Sequence, residues 1–266
     1  METGEKKIGM FSIGQWLLVG LLVVSAFFIG SLYTKVQYLE KVANTGANPD
    51  AQQPEAPKVD LATIKGVFDK NVIKFGDANR KLLFVEVADP SCPYCSVAAG
   101  QNPELNKQVG EQFVLTKDGG SYIAPVPEMR KLVEQGVASF AYIYFPGHGN
   151  GEMGTKAIYC AAREGKFWEA HDLIMTAEGY DLVNTQVKND KTKSAQVAQF
   201  FKSVLDPVKL KTCIDDKAGD THLSEDITLA RSLGVTGTPG FFVNDTRFAG
   251  AYSYKDIEPT VIEALK

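Results

Sequence analysis

The feature that most restricts how this chain can fold is a pair of cysteines pinned to the end of an apolar run. Leu82-Leu83-Phe84-Val85-Glu86-Val87 is short, apolar and rich in β-formers, which predicts a buried strand. Asp89-Pro90-Ser91 reads as a turn, and Cys92-Pro93-Tyr94-Cys95 follows at once. Pro93 suits the first position of a helix, so the motif predicts strand, turn and helix start within fifteen residues, Leu82 to Ser96. Cysteines at i and i+3 of a first helical turn share one face, and their sulfurs can bond. Unpaired N–H groups and the positive dipole end favour a thiolate at Cys92. Such settings lower a thiol pKa into a range of about 3.5–7.5. Cys95 lies one turn deeper and is expected to be the less exposed. Cys92 would then exchange with a partner sulfur, and Cys95 would displace it.

A zinc site would need a second pair of ligands at matching spacing. His148, His171 and His222 are scattered and no second CxxC occurs, so no metal is expected. The expected redox group is the Cys92–Cys95 pair itself, with no further cofactor. Glu86 is the odd residue of the strand, because a carboxylate is expensive to bury without a partner. It either faces solvent at a sheet edge or serves as a proton acceptor near the thiols. Downstream, Gly237-Thr238-Pro239-Gly240 opens another strand candidate, where proline withholds a ladder donor. The four cysteines fit one redox pair plus one structural pair without proving either.

The amino terminus carries a separate constraint. No residue from Ile8 to Thr34 is charged, and a helix of that length spans the roughly 30 Å apolar core of a bilayer. The run is longer than a cleavable signal's apolar region and ends without a small-residue cleavage pattern. The expected organisation is a short cytoplasmic head (1–10), a transmembrane signal anchor (11–34), a linker (35–58) and a soluble domain (59–266). Asn44 to Pro57 is rich in Pro, Asn and Gln and cannot build a core. The net charge of −4 and the lack of a long basic run argue against nucleic-acid binding.

Within the soluble domain, Val137–Phe145 reads as a second strand. Helical spacing covers 153–163, 166–177, 195–205, 208–214, 224–233 and 254–265. Phe241–Val243 and Arg247–Ala249 flank Asn244-Asp245 as a hairpin, which also accounts for the glycosylation-like Asn244-Asp245-Thr246. Phe167 and Trp168 read as core packing, and His171 as a core or capping histidine. The fold class is α/β with a helical insertion at about 150–233.

Strand–CPYC–helix followed by Gly234-Val235-Thr236-Gly237-Thr238-Pro239-Gly240-Phe241-Phe242-Val243 resembles the thioredoxin superfamily. The helical insertion, with Ala161-Ala162-Arg163-Glu164-Gly165-Lys166-Phe167-Trp168-Glu169-Ala170-His171-Asp172, is similar to the disulfide-bond protein A (DsbA)-like branch. The resemblance covers roughly Ile73 to Lys266. It implies a thioredoxin-like fold, Cys92 as nucleophile, Cys95 as resolving thiol and Glu86 as a buried acid. It also implies that Pro239 is a cis-proline facing the thiols, with Thr238 pairing to a substrate backbone and Tyr94 contacting substrate. Some members carry a second disulfide in the insertion, which implies a structural Cys160–Cys213 bridge. Tyr94 and Thr238 depart from DsbA itself, which has His and Val there, and Val109–Gln135 looks like an addition between first helix and second strand.

The resulting expectation is a membrane-tethered, extracytoplasmic dithiol oxidase. Its partners would be reduced or unfolded exported proteins, a membrane quinone-linked thiol oxidase that reoxidises it, and the lipid bilayer. The rival readings are an isomerase or reductase using the same residues, and a tethered binding or metal-delivery module.

Overall fold

The computed structural model describes residues 59–266. The expected head, anchor and linker lie outside the described residues. Among the described residues no helix is long and apolar enough to cross a membrane.

The strand read from the apolar run is β2 (Leu82–Ala88), and all seven of its residues are buried. Its partner β3 (Ala138–Tyr144) is equally buried and runs parallel to it, Leu82 opposite Ala138 and Ala88 opposite Tyr144. Strands buried on both faces are near-continuous apolar runs, which is how both were legible. The hairpin strands β4 (Gly240–Val243) and β5 (Thr246–Ala249) add antiparallel on the other side of β2. Asn244 makes their tight turn at φ 51°, a conformation asparagine tolerates. The far edge is β1 (Ile73–Phe75), antiparallel to β3, so the sheet order is β1-β3-β2-β4-β5. β1 was not predicted, because three residues are too few to display a period.

Alternation along β2 divides the core. Leu83, Val85 and Val87 pack with α1 (Leu61–Val67) and with Ala230 of α10 (Lys217–Ser232) on one face. Phe84 and Ala88 face the other layer. There lie α2 (Pro93–Ala99), α4 (Pro125–Glu134), α5 (Glu152–Arg163), α6 (Phe167–Ile174) and α11 (Tyr254–Leu265). Between α2 and α4 runs α3 (Pro103–Val109). The insertion continues from α6 through α7 (Ala177–Asp181), a π-turn (Leu182–Val187), α8 (Ser194–Phe200) and α9 (Pro207–Ile214) into α10. The last insertion helix starts at Lys217, earlier than the predicted 224, because Asp216 caps it by accepting from Ala218 N–H.

Candidate active site

Cys92 is the N-cap of α2, with extended φ −80° and ψ 124°, and Pro93 takes the first helical position. The turn before it is held by Asp89. Its Oδ1 accepts from Ser91 N at 2.8 Å and Ser91 Oγ at 2.7 Å, and its Oδ2 accepts from His148 N at 2.8 Å. Asn150 N–H reaches Ser91 Oγ and the Asn184 amide reaches the Ser91 carbonyl, so the cysteine loop is clamped to the insertion. Asp89 is fully buried. Along the chain Asp89 shows only as part of a turn; its long-range acceptor role has no local signature beyond the Asx-turn spacing.

The two thiols differ. Both are reduced, and Cys92 is 1% and Cys95 0% exposed, so Cys92 is not the open thiol that a helix start alone suggests. Its sulfur lies under the backbone of the Thr238 loop, 3.3 Å from the Thr238 carbonyl oxygen. A hydrogen bond from Cys95, opposed by burial and assisted by Thr238 and by the backbone amides of Cys95 and Tyr94, lowers the Cys92 pKa to about 6. Burial, then the neighbouring Cys92 sulfur, pushes the Cys95 thiol well up. Asp89 N–H points at Cys95 Sγ from 3.4 Å, a weak contact that holds the sulfur in place.

The Thr238–Pro239 peptide bond is cis. Gly147 makes room for this loop, since a Cβ there would meet Thr238 Oγ1. In the same way a Cβ at Gly151 would meet Asp89 Oδ1, so both close approaches demand glycine. Tyr94 is 41% exposed beside Cys92, with its ring edge-on to Phe113 at 5.7 Å. Phe113 in turn contacts Tyr122 at 5.6 Å. Both partners come from the added segment Val109–Gln135, which thereby braces the rim of the site.

Glu86 is fully buried in the central strand, opposite Tyr142 of β3 and Phe241 of β4, so the sheet-edge alternative is wrong. Both carboxylate oxygens lack a hydrogen-bond partner. An orphaned buried polar group costs about 1–3 kcal/mol, so this position calls for a compensating charge. That charge is His171 of α6, whose Nε2 lies 3.8 Å from Glu86 Oε1. Burial works against the imidazolium, but the carboxylates of Asp172, at 3.6 Å, and Glu86 outweigh it and lift the His171 pKa to about 9. His171 does lie in the core, and its partner, 85 residues earlier, has no local signature along the chain.

Cys160 of α5 and Cys213 of α9 are bonded, 6.1 Å apart at Cα, within the insertion and away from Cys92. Among the described residues no three His, Cys, Asp or Glu side chains are grouped to hold a metal ion.

The arrangement is an acid–thiol site: a low-pKa sulfur at a helix start, a high-pKa sulfur behind it, and a backbone carbonyl against the first. Residues 127–263, just over half of the chain, match the family model described as thioredoxin. The chain belongs to the thioredoxin family. The match lies downstream of Cys92 and Cys95 and takes in Thr238 and Pro239. This thioredoxin-family chain superposes on alpha-DsbA1 of Wolbachia pipientis with a TM-score of 0.53 at 19% identity, covering 73% of this chain and 91% of that one. The fold is therefore DsbA-like. Its sequence is 21% identical over 222 residues to a Rickettsia bellii protein provisionally named a protein-disulfide oxidoreductase, covering 82% of this chain and 74% of that protein. It is also 25% identical over 194 residues, 71% of this chain, to a Salinispora tropica protein named Na(+)/H(+) antiporter NhaA 3, of whose length it spans 24%.

Proposed function

We propose that this protein is a protein-disulfide oxidoreductase whose exchanging sulfurs are those of Cys92 and Cys95, and that it works as a dithiol oxidase on exported proteins. The observation that carries the reading is the split between the two thiols. Cys92 is lowered to about 6 beside the Thr238 carbonyl, while Cys95 is raised. A substrate thiolate attacks Cys92 Sγ of the oxidised pair, forming a mixed disulfide and releasing Cys95. A second substrate thiolate attacks the substrate sulfur of that bond, and Cys92 leaves as a thiolate. A low Cys92 pKa makes it a good leaving group and stabilises the reduced enzyme, which is what makes a dithiol oxidising.

The substrate chain lies across Tyr94 and pairs with the Thr238 backbone, which recognises extended peptide with little demand on its side chains. The uncharged run Ile8–Thr34 supports a membrane tether, with residues 59–266 outside the cytoplasm. There a membrane quinone-linked thiol oxidase reoxidises Cys92 and Cys95. The Cys160–Cys213 bond fits an oxidising compartment.

The deciding experiment is equilibration of Cys92–Cys95 with glutathione. The expected potential lies nearer about −120 mV than about −270 mV. A value at the reducing end would make the protein a reductase, and a Cys92→Ala variant that still oxidised a reduced substrate protein would remove the assignment altogether.

A further inference from the structure

We propose that His171 couples proton gain at Glu86, on the sheet face against which Cys95 packs, to proton release at the surface carboxylate of Asp172. The inference rests on the dithiol reading above and deepens it by giving the buried thiol a route to water.

Cys95 must lose a proton before it can displace a partner from Cys92, yet Cys95, Glu86 and His171 are each 0% exposed. Glu86 shares its strand face with Phe84 and Ala88, which pack in the same cluster as Cys92, Cys95 and Tyr142. Its two oxygens and both nitrogens of His171 are without hydrogen-bond partners. Four orphaned polar atoms in one buried place are unusual. The gaps, 3.8 Å from Glu86 to Nε2 and 3.6 Å from Nδ1 to Asp172 Oδ1, are just beyond hydrogen-bond length. A small side-chain movement closes either one. Asp172 is 34% exposed, and Arg130 holds its other oxygen at 2.9 Å. The ring thus bridges a buried carboxylate and a wet one, with one nitrogen directed to each.

Charged and titratable groups face His171 from three other elements and from its own. Glu86 comes from β2, and Tyr142 from β3 has its ring at 6.0 Å. Asp172 lies on α6 itself, and Arg130 on α4 reaches the site through Asp172 and over the Trp168 ring.

The Cys95 proton passes to a Glu86 oxygen, and the electron pair stays on Cys95 Sγ. That sulfur attacks Cys92 Sγ of a mixed disulfide, the Cys92–Cys95 bond forms, and the partner sulfur leaves with the electron pair of the broken bond. With Glu86 neutralised, the His171 imidazolium releases its Nδ1 proton to Asp172 and so to water, and its Nε2 proton stays beside Glu86. When a substrate thiolate opens oxidised Cys92–Cys95, the same route runs inward and protonates Cys95. His171 acts through Glu86 and is a positioning residue for the proton.

The test uses the full chain, reduced and mixed with one equivalent of a symmetric nitrothiobenzoate disulfide. Two bursts of coloured thiolate follow, the first from attack by Cys92 and the second from displacement by Cys95. His171→Gln is expected to leave the first burst unchanged and slow the second by about 100-fold, the low end for positioned proton transfer. Its second-burst rate should also keep rising with hydroxide concentration where the native rate levels off. Asp172→Asn, at a partly exposed position, should move the second burst in the same direction by a smaller factor and decides the matter if His171→Gln does not fold. Second bursts with native rate and pH profile in both variants, or a slowing that is the same at every pH, would overturn the relay. Absence of the first burst in the native protein would instead overturn the assignment of Cys92.

Discussion

At the scale of single residues, Cys92 couples redox state to pH. A thiol whose folded pKa is depressed contributes stability that is complete above its unfolded value, near 9, and lost as pH falls through about 6. The oxidised protein has no such group. The stability of the reduced form relative to the oxidised form should therefore climb between about pH 6 and pH 9, by a few kcal/mol at most. Urea midpoints of both forms across that range check this, and a flat difference would show that Cys92 titrates as an ordinary thiol. Gly147 offers a second check. A Cβ there would collide with Thr238 Oγ1, so Gly147→Ala should displace the Thr238 hydroxyl, one of the groups that lower the Cys92 thiol, and raise the Cys92 pKa. Thiolate absorbance titration reads that shift directly.

At the scale of elements, the site is where three segments meet: the strand–helix junction of β2 and α2, the loop before β4, and the insertion. Asp89, Ser91, His148, Asn150 and Asn184 tie the first to the last. The insertion is itself stapled by Cys160–Cys213, which joins α5 to α9 across 53 residues of separation. In the chain-entropy picture a loop of that span is worth roughly 4 kcal/mol. Replacing both cysteines by serine should lower stability by about 2–4 kcal/mol, seen as an earlier thermal transition. Thiol exchange at Cys92 should survive wherever the protein remains folded, because the bond does not touch the site. Loss of exchange in a folded double variant would assign the bond a larger role.

At the scale of the whole molecule, two buried groups slope stability in the same direction. Asp226 of α10 accepts from Tyr144 N at 2.8 Å and Tyr159 Oη at 2.6 Å, yet burial still raises its pKa to about 7. A raised carboxylate favours folding in its protonated form, so stability falls as pH rises from about 4 to about 7. His171, raised to about 9, contributes fully below about 6.5 and loses that contribution as pH rises through 9. Exposed carboxylates such as Asp60, Asp181 and Asp190, lowered by hydrogen bonds to Thr63, Thr185 and Thr192, act oppositely below about pH 4. The oxidised protein should be most stable near about pH 4–5 and lose on the order of 2–4 kcal/mol by neutral pH through Asp226. Asp226→Asn should flatten the slope between pH 4 and 7, and an unchanged slope in denaturant titrations would exclude Asp226 as its source.

What could be read along the chain follows from short-range physics. The period of β2 and β3, the proline after Cys92, the i, i+3 spacing of the thiols and the Asn244 turn are each set by neighbours a few residues away, so their elements and the two cysteines were legible. β1 and α4 were missed, the first for brevity and the second inside a segment read only as an addition. Which buried groups face one another was settled in three dimensions. Glu86 meets His171, Cys92 meets the carbonyl of Thr238, and Tyr94 meets Phe113 because the sheet, the insertion and the added segment close on one another. Local energies choose the elements; only packing chooses which orphaned charge is paired with which, since that pairing compares surfaces that are far apart in the chain.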